Sequence, residues 1–169
     1  MDAAVLPGAD MVSTIASSEA AVWDLLASVT DPEIPVLTIE DIGILREIDV
    51  SPSGVVDVVI TPTYSGCPAM GVIEEDIASA LETAGYVAQV STRLEPAWTT
   101  EWMTSEGKQK LNAFGIAPPG SVIAIVDEVL CPQCGDRGTR VISEFGSTAC
   151  KRLMVCTACG EPFDQFKAI

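Results

Sequence analysis

The sequence predicts an α+β fold, in which a two-layer module of a small sheet covered by helices is followed by a small C-terminal β domain. Three observations lead to this prediction. Apolar residues recur at helical spacing within residues 18–29 and 67–84, and β-branched runs occupy residues 42–50 and 55–61. Four cysteines form two closely spaced pairs near the end of the sequence. The first two patterns specify the α+β module, and the cysteines specify a β domain organised by a metal.

A β-hairpin and two helices form the first part of the predicted module. The hairpin turns at Ser51-Pro52-Ser53-Gly54, a strong turn sequence between two β-branched runs. The second helix should run from about Cys67 to Ala84, with Pro68 at its first position and Gly85 directly after its end. The sheet is therefore expected to have helices before and after the hairpin.

The second part of the module is expected to contain one strand and one helix. Residues 86–94 alternate between apolar and polar side chains, which predicts a third strand. A helix between residues 95 and 115 should carry Trp98, Trp102 and Leu111. Trp98 and Trp102 are one helical turn apart, so they are interpreted either as core residues or as a partner-binding face.

The chain is expected to divide into a tail, a module, a linker and a second domain. Residues 1–17 are predicted to be a flexible tail, residues 18–115 the α+β domain, residues 116–121 the linker and residues 122–169 the C-terminal β domain. Short β-like runs in that last domain cover residues 121–129, 139–144 and 151–155. The formal charge supports this division, because about −14 of the total of −15 lies before Val122.

The composition excludes several classes of function. With nine basic and 24 acidic residues, electrostatics would repel nucleic acid and anionic membrane surfaces. The sequence has no histidine, which removes catalysis by Ser-His or Cys-His pairs and His-based metal sites. It also lacks a Gly-rich nucleotide motif, so neither flavin nor NAD is expected. Because it has neither a basic secretory start nor a long apolar stretch, the predicted location is the cytoplasm.

The strongest chemical signal is a pair of C-x-x-C-G knuckles near the C-terminus. The ligand candidates are Cys131, Cys134, Cys156 and Cys159. Each knuckle places two thiolates on one turn, and the intervening residues can form a hairpin that brings the turns together. This spacing predicts a structural zinc ribbon, with an iron–sulfur cluster and a redox pair as the alternatives. Cys150 is a spare thiol, interpreted as a buried apolar side chain or as a further ligand.

A second candidate site surrounds Cys67. This thiol lies between a predicted strand end and the first turn of a helix, where the helix dipole should favour the thiolate. One thiolate cannot close a metal site, so oxygen ligands such as Asp31, Glu33 or Thr63, a second chain or a partner would have to assist. The alternatives are a buried capping thiol at Cys67 and ordinary turn residues at Asp31 and Glu33.

Several short motifs resemble a known family. They are Asp31-Pro32-Glu33-Ile34-Pro35, Asp41-Ile42-Gly43-Ile44, Thr61-Pro62-Thr63-Tyr64-Ser65-Gly66-Cys67-Pro68 and Pro96-Ala97-Trp98. This series resembles the iron-sulfur and metal-cofactor assembly factors that include SufT-like proteins. Together with the ribbon, the chain from about Ala20 onward resembles the PaaD family, whose members are associated with the multicomponent phenylacetyl-CoA 1,2-epoxidase as its D component.

The resemblance implies a function as well as a fold. It implies a two-layer α+β domain and an accessory or maturation subunit in bacterial aerobic phenylacetate degradation, which assists assembly of the iron or iron–sulfur centres of the oxygenase or its reductase. Cys67, Asp31 and Glu33 would handle iron or a cluster transiently. The partners would be the other epoxidase subunits, with a homo-oligomer left open and no catalysis expected from this chain alone. The alternative is a non-catalytic interaction module that bridges oxygenase subunits.

Overall fold

The computed structural model describes residues 19–120 and 129–168. The predicted tail at residues 1–17, helix start at Ser18 and strand within residues 121–128 lie outside the described residues. The elements in chain order are α1 (Glu19–Leu26), β1 (Leu45–Val50), β2 (Val55–Ile60), α2 (Met70–Thr83), β3 (Val87–Thr92), a 3-10 turn (Thr100–Trp102), α3 (Ser105–Phe114), β4 (Thr139–Ser143), β5 (Lys151–Cys156) and β6 (Pro162–Phe166).

The first module contains a three-stranded sheet in the order β1-β2-β3. β1 and β2 form the predicted antiparallel hairpin, and β3 adds to β2 in parallel after α2 crosses over the sheet. Ile73, Ile77 and Leu81 lie on one face of α2 at helical spacing and are fully buried. The predicted two-layer α+β class is therefore correct.

The start of α2 differs from the prediction. The helix begins at Met70 rather than at Cys67, so Pro68 precedes the helix instead of occupying its first position. Ala69 is the N-cap residue and offers no side-chain cap, which leaves Cys67 and Pro68 in a turn. The end of the helix is as predicted, since Gly85 has a φ of +89°, a conformation that glycine adopts without strain.

The region between residues 95 and 115 is also different from the prediction. One helix was expected to carry both tryptophans, but α3 begins only at Ser105 and Trp98 precedes the 3-10 turn. Two threonines set these boundaries, because Thr99 caps the 3-10 turn and Thr104 accepts a hydrogen bond of 2.8 Å from the Gly107 N–H at the start of α3. The helix boundaries are therefore determined by the capping side chains of Thr99 and Thr104, and not by the helical spacing of the two tryptophans.

The second module is an antiparallel sheet in the order β4-β5-β6. β4 and β5 match the predicted runs, whereas β6 is a strand that no sequence pattern indicated. Ala117, which was placed in the linker, is buried and hydrogen bonds to β6: its N–H donates to Asp164 O (2.8 Å), and its carbonyl accepts from the Phe166 N–H (2.9 Å). This part of the predicted linker is therefore bound to the ribbon, while the domain boundaries stay a prediction.

The two modules share buried side chains. Phe166 of β6 is fully buried, and its ring centroid lies 5.8 Å from that of Trp98. Cys150, in the turn directly before β5, also belongs to the buried cluster of the α+β module. The ribbon therefore docks on the first module through Phe166 of β6 and through Cys150. This docking brings ribbon residues close to the loops of the first module.

Asp41 stabilises the loop that leads into the first sheet. Its carboxylate accepts hydrogen bonds from Lys110 Nζ (2.7 Å), the Thr38 N–H (3.1 Å) and Thr104 Oγ1 (3.1 Å). Burial raises the pKa of Asp41, but these donors outweigh burial and hold the pKa below its usual value of 3.8. The ionised form therefore stabilises the fold above that pH, and its contribution is lost as the pH falls through the folded-state pKa.

Asp41→Asn is expected to lower the free energy of unfolding by about 1–3 kcal/mol at neutral pH, because three half-buried donors lose a buried, charged acceptor. The difference from the wild type should shrink as the pH falls below 3.8. Urea unfolding at pH 7 and at acid pH measures both effects. Asp49→Asn is the control, since Asp49 is exposed and faces Asp57 across the hairpin, and it should cause no loss. Equal effects of the two substitutions would contradict this role for Asp41.

Candidate metal centres

Each cysteine knuckle is a tight turn closed by a glycine. The Gly135 N–H donates to the Cys131 carbonyl (2.8 Å), and the Gly160 N–H donates to the Cys156 carbonyl (3.0 Å). Both glycines have a positive φ, +73° and +79°, which a residue with a Cβ rarely adopts. The two turns are therefore built in the same way.

The β4–β5 ladder brings the two knuckles together. All four sulfurs lie within 4.8 Å of one another; the distance is 3.8 Å from Cys131 to Cys159 and 3.6 Å from Cys134 to Cys156. A tetrahedral zinc with bonds of about 2.3 Å has sulfur–sulfur edges of about 3.8 Å. All four cysteines are free thiols rather than disulfides. The observed spacing fits one tetrahedral ion.

The electrostatics of the four sulfurs also fit a cation. The backbone N–H groups of Cys159 and Ala158 lower the pKa of Cys156 to about 7. The Asp136 N–H lowers the pKa of Cys134, but burial and the neighbouring sulfurs together raise it to about 12. Four thiolates at this spacing repel one another, and a divalent ion removes that repulsion. We conclude that the knuckles form a metal-binding cluster with four sulfur donors.

The acidic turn of the first module is ordered by its own backbone. Asp31 Oδ1 accepts hydrogen bonds from the N–H groups of Glu33 (2.7 Å) and Ile34 (2.8 Å). Asp31 is buried, and burial raises its pKa despite these two bonds. Burial and the neighbouring Asp31 carboxylate raise the pKa of Glu33 as well. The pKa values of both carboxyl groups are therefore raised, and a bound cation would lower them again.

Cys67 lies half-buried in the turn before α2. Burial raises the pKa of its thiol, and this outweighs the hydrogen bond to the Ala69 backbone, which lowers it; Glu33 and Asp31 raise the pKa further. The predicted preference for the thiolate is therefore wrong, because the thiol is half-buried beside two carboxyl groups and three residues before the helix. Binding to a metal cation would lower the pKa of the Cys67 thiol again, since a metal-bound thiol is deprotonated.

Thr63 lies in the same loop as Cys67 but has a different environment. It is buried and lines a cavity of about 300 Å³ together with Tyr64 and Trp98. Asp31, Glu33 and Cys67 interact electrostatically with one another, whereas Thr63 has no hydrogen bond assigned to its side chain among the described residues. The structure thus places Asp31, Glu33 and Cys67 within electrostatic range of one another but not within 4.8 Å as a group, and a ligand role for any of them stays a prediction.

The ribbon contributes two residues to this region that sequence reasoning did not place there. Cys150 and Lys151 are both buried, and both interact electrostatically with Asp31 and Glu33. Lys151 Nζ also lies 3.9 Å from Asp164 Oδ2. No local motif could indicate this, because the contacts depend on how the two modules dock.

The predicted partner face at Trp98 and Trp102 does not form. Trp98 is only 3% exposed, and its Nε1 donates to the Ile42 carbonyl (3.0 Å), so it is a core residue. Trp102 is half-buried beneath Arg46, whose guanidinium carbon lies 3.5 Å from the ring centroid. Gly43, with a φ of +77°, lies against the Trp102 backbone, and any side chain there would collide with it.

Two family models match the sequence of the chain. The PaaD zinc beta ribbon domain matches residues 118–167, and the iron-sulfur cluster assembly protein model matches residues 19–92. A protein of Escherichia coli (strain K12), provisionally named as the D component of 1,2-phenylacetyl-CoA epoxidase, is 47% identical over 152 residues, which cover 88% of this chain and 92% of that protein. The chain belongs to the PaaD family. The sequence similarity to the Escherichia coli protein extends over both modules.

The α+β module of this PaaD-family chain also resembles smaller proteins. The Fe-S protein maturation auxiliary factor of Porphyromonas gingivalis is 37% identical over 89 residues, which cover 52% of this chain and 84% of that protein. The crystal structure of the domain of unknown function DUF59 from Bacillus anthracis has a TM-score of 0.52 and 26% identity, and covers 55% of this chain and 90% of that one. Both likenesses agree with the predicted fold class.

Within residues 19–120 and 129–168, none of the helices has the length and apolar character needed to cross a lipid bilayer.

Proposed function

We propose that this chain is an accessory subunit that helps to mature the iron or iron–sulfur centres of a phenylacetyl-CoA epoxidase. The observation that carries the proposal is that Cys67 lies within electrostatic range of Asp31 and Glu33, which belong to a separate loop. One sulfur and two carboxyl groups offer the mixed donors that ferrous iron accepts. The names of the relatives in Escherichia coli and Porphyromonas gingivalis support the same class of function.

The openness of the Cys67 site suits transient rather than permanent binding. Among the described residues, the ribbon cysteines form the one group of three or more potential metal ligands within 4.8 Å of one another. The donors around Cys67 are spaced more widely, and Cys67 itself is half-buried. A site that is incompletely closed can take up an ion and release it to another protein of the complex, whereas a four-sulfur site retains its ion.

The ribbon metal is proposed to be zinc with a structural role. Four sulfur donors at tetrahedral spacing suit zinc and leave no open coordination position for chemistry. The ribbon would then present a surface to another epoxidase subunit. Apolar side chains of β4 and the following turn favour such a contact, because Val141, Ile142 and Phe145 are exposed.

Cys67→Ser is expected to leave the fold intact and to reduce the iron content of a co-produced epoxidase complex severalfold, since loss of even a supporting residue at a metal site costs about 10–100-fold in affinity. Iron per complex and epoxidase activity measure the effect. Ser65→Ala, an exposed change in the same loop, is the matched control and should leave both values unchanged.

The same experiment separates the maturation role from a pure interaction module. If the Cys67→Ser complex assembles with normal iron content and activity, the maturation role is wrong and the exposed β4 side chains become the better guide to function. If the complex assembles but lacks iron, the chain does more than bridge subunits.

A further inference from the structure

A cavity of about 490 Å³ lies at the junction of the two modules. One wall belongs to α3, a second to residues 117–120, a third to Val129 and Leu130, and a fourth to Gln165 of β6. Two of these walls are joined directly, because Ala117 pairs in parallel with Gln165. Cavities of this size that lie between domains are typical binding sites for small molecules.

Gln165 brings an unsatisfied hydrogen-bond donor to this cavity. Its side chain is completely buried, and its Oε1 accepts a hydrogen bond from Arg152 Nε. Because a guanidinium group can only donate, this bond requires the amide oxygen to face Arg152 and leaves the Nε2 group free. Among the described residues, Nε2 is the one buried side-chain nitrogen or oxygen atom without a hydrogen-bond partner. Such buried donors are rare in folded proteins, and an oxygen atom of a ligand would satisfy this one.

Lys108 brings a positive charge to the same cavity. It is half-buried in the wall that α3 forms, and it has no ion pair within residues 19–120 and 129–168. The other basic residues described in the first module each have a charged or aromatic partner. These pairs are Arg93 with Glu47, Lys110 with Asp41, and Arg46 with the ring of Trp102. The unpaired cation of a strongly acidic module therefore lines the cavity.

The remaining walls are suited to an apolar group and not to a cation. Ala113, Pro118 and Leu130 line the cavity, and Leu130 is 48% exposed. None of the described residues that line it is an aspartate or a glutamate, although the chain has 24 acidic residues. A positive charge, a free amide donor and apolar walls together favour a ligand that has both an anionic and an apolar part.

We propose that this cavity binds a small organic carboxylate with an apolar body. The carboxylate would accept a hydrogen bond from Gln165 Nε2 and pair with the flexible Lys108 side chain, while the apolar body would contact Pro118 and Leu130. This site is separate from the region of Cys67, because none of the residues around Cys67 lines the cavity. The inference therefore does not depend on the function proposed above.

The test uses the full-length, zinc-loaded protein titrated with phenylacetate, a simple acid that has a carboxylate and an aromatic ring. Nitrogen-15 NMR of the side-chain amide groups observes Gln165 directly in the wild type. We expect saturable shifts of the Gln165 amide signals, with a Kd on the order of 1 mM for a ligand of about ten non-hydrogen atoms. Phenylacetamide, which has the same size but no charge, should bind about fivefold more weakly.

Two variants and a control locate the binding site. Gln165→Glu keeps an acceptor for Arg152 but replaces the free amide donor by an anionic oxygen, and Lys108→Gln removes the positive charge. Each should weaken the binding of phenylacetate at least about fivefold. Arg140→Gln is the matched control, because Arg140 is exposed on β4 and does not line the cavity, and it should leave binding unchanged. One zinc per chain confirms that each ribbon is folded.

Three results would overturn the proposal. The first needs no variant, and is the absence of saturable shifts of the Gln165 amide signals in the wild type. The second is equal binding of phenylacetamide and phenylacetate, which would exclude recognition of the carboxylate. The third is unchanged binding in both Gln165→Glu and Lys108→Gln, which would place the acid elsewhere on the protein.

Discussion

Replacing Cys134 by serine is expected to release the ribbon metal and to unfold the segment from Cys131 to Lys167. Structural zinc contributes an apparent binding free energy of about 10–16 kcal/mol in small zinc-binding peptides. Apart from Cys150 and Phe166, which dock on the first module, the ribbon has a small buried cluster that consists of Ala117, Val129, Cys131, Met154, Cys156 and Phe163. Two of these six are cysteines of the knuckles themselves, so apolar burial alone is insufficient.

Zinc per chain and amide hydrogen exchange in β5 measure this result. We expect a Cys134→Ser protein with less than one zinc per chain and β5 amides that exchange much faster than in the wild type. Cys67→Ser is the matched control, since Cys67 lies outside the four-sulfur cluster, and it should retain both zinc and protection. A Cys134→Ser ribbon that keeps full protection without metal would show that packing and not the ion maintains it.

Replacing Phe166 by alanine is expected to destabilise the α+β module, although Phe166 belongs to the ribbon. A fully buried phenylalanine costs about 3–5 kcal/mol when truncated to alanine. Phe166 is fully buried in the core of the first module and contacts Trp98, so the loss should fall on both modules in a single transition. Chemical denaturation followed by tryptophan fluorescence and by circular dichroism measures the free energy of unfolding.

Phe145→Ala is the control for Phe166→Ala. Phe145 is 69% exposed, and Lys167 Nζ lies 4.5 Å from its ring centroid. Such an exposed cation–π contact contributes about 0.5–1 kcal/mol, so the two variants should differ clearly. Separate transitions for the two modules, with that of the α+β module unaffected by Phe166→Ala, would refute the shared core.

Local sequence patterns were sufficient for the parts of the fold that local forces determine. The turn at residues 51–54, the glycine after α2 and the two knuckles each have a specific backbone requirement that a short motif meets. The convergence of the four ribbon sulfurs follows from the hairpin between the knuckles. These features could be predicted because each depends on residues close together in the sequence or on one ladder.

The properties of the Cys67 site could not be predicted in this way. The sequence suggested an activated thiolate at a helix start, but burial and neighbouring carboxyl groups from another loop raise the pKa of Cys67. Cys150 carries no motif that relates it to Asp31, and Trp98 showed no signal for its contact with Phe166. All three depend on docking between distant segments, for which neither periodicity nor spacing carries information.

The insertion of Phe166 beside Trp98 has a consequence for the order in which this protein acquires its structure. The partner of Trp98 is synthesised roughly seventy residues later, a long-range contact of the kind that slows folding. Until Phe166 has been synthesised, Trp98 is expected to lack this aromatic contact. The core of the first module is therefore expected to be complete only after β6 has been synthesised.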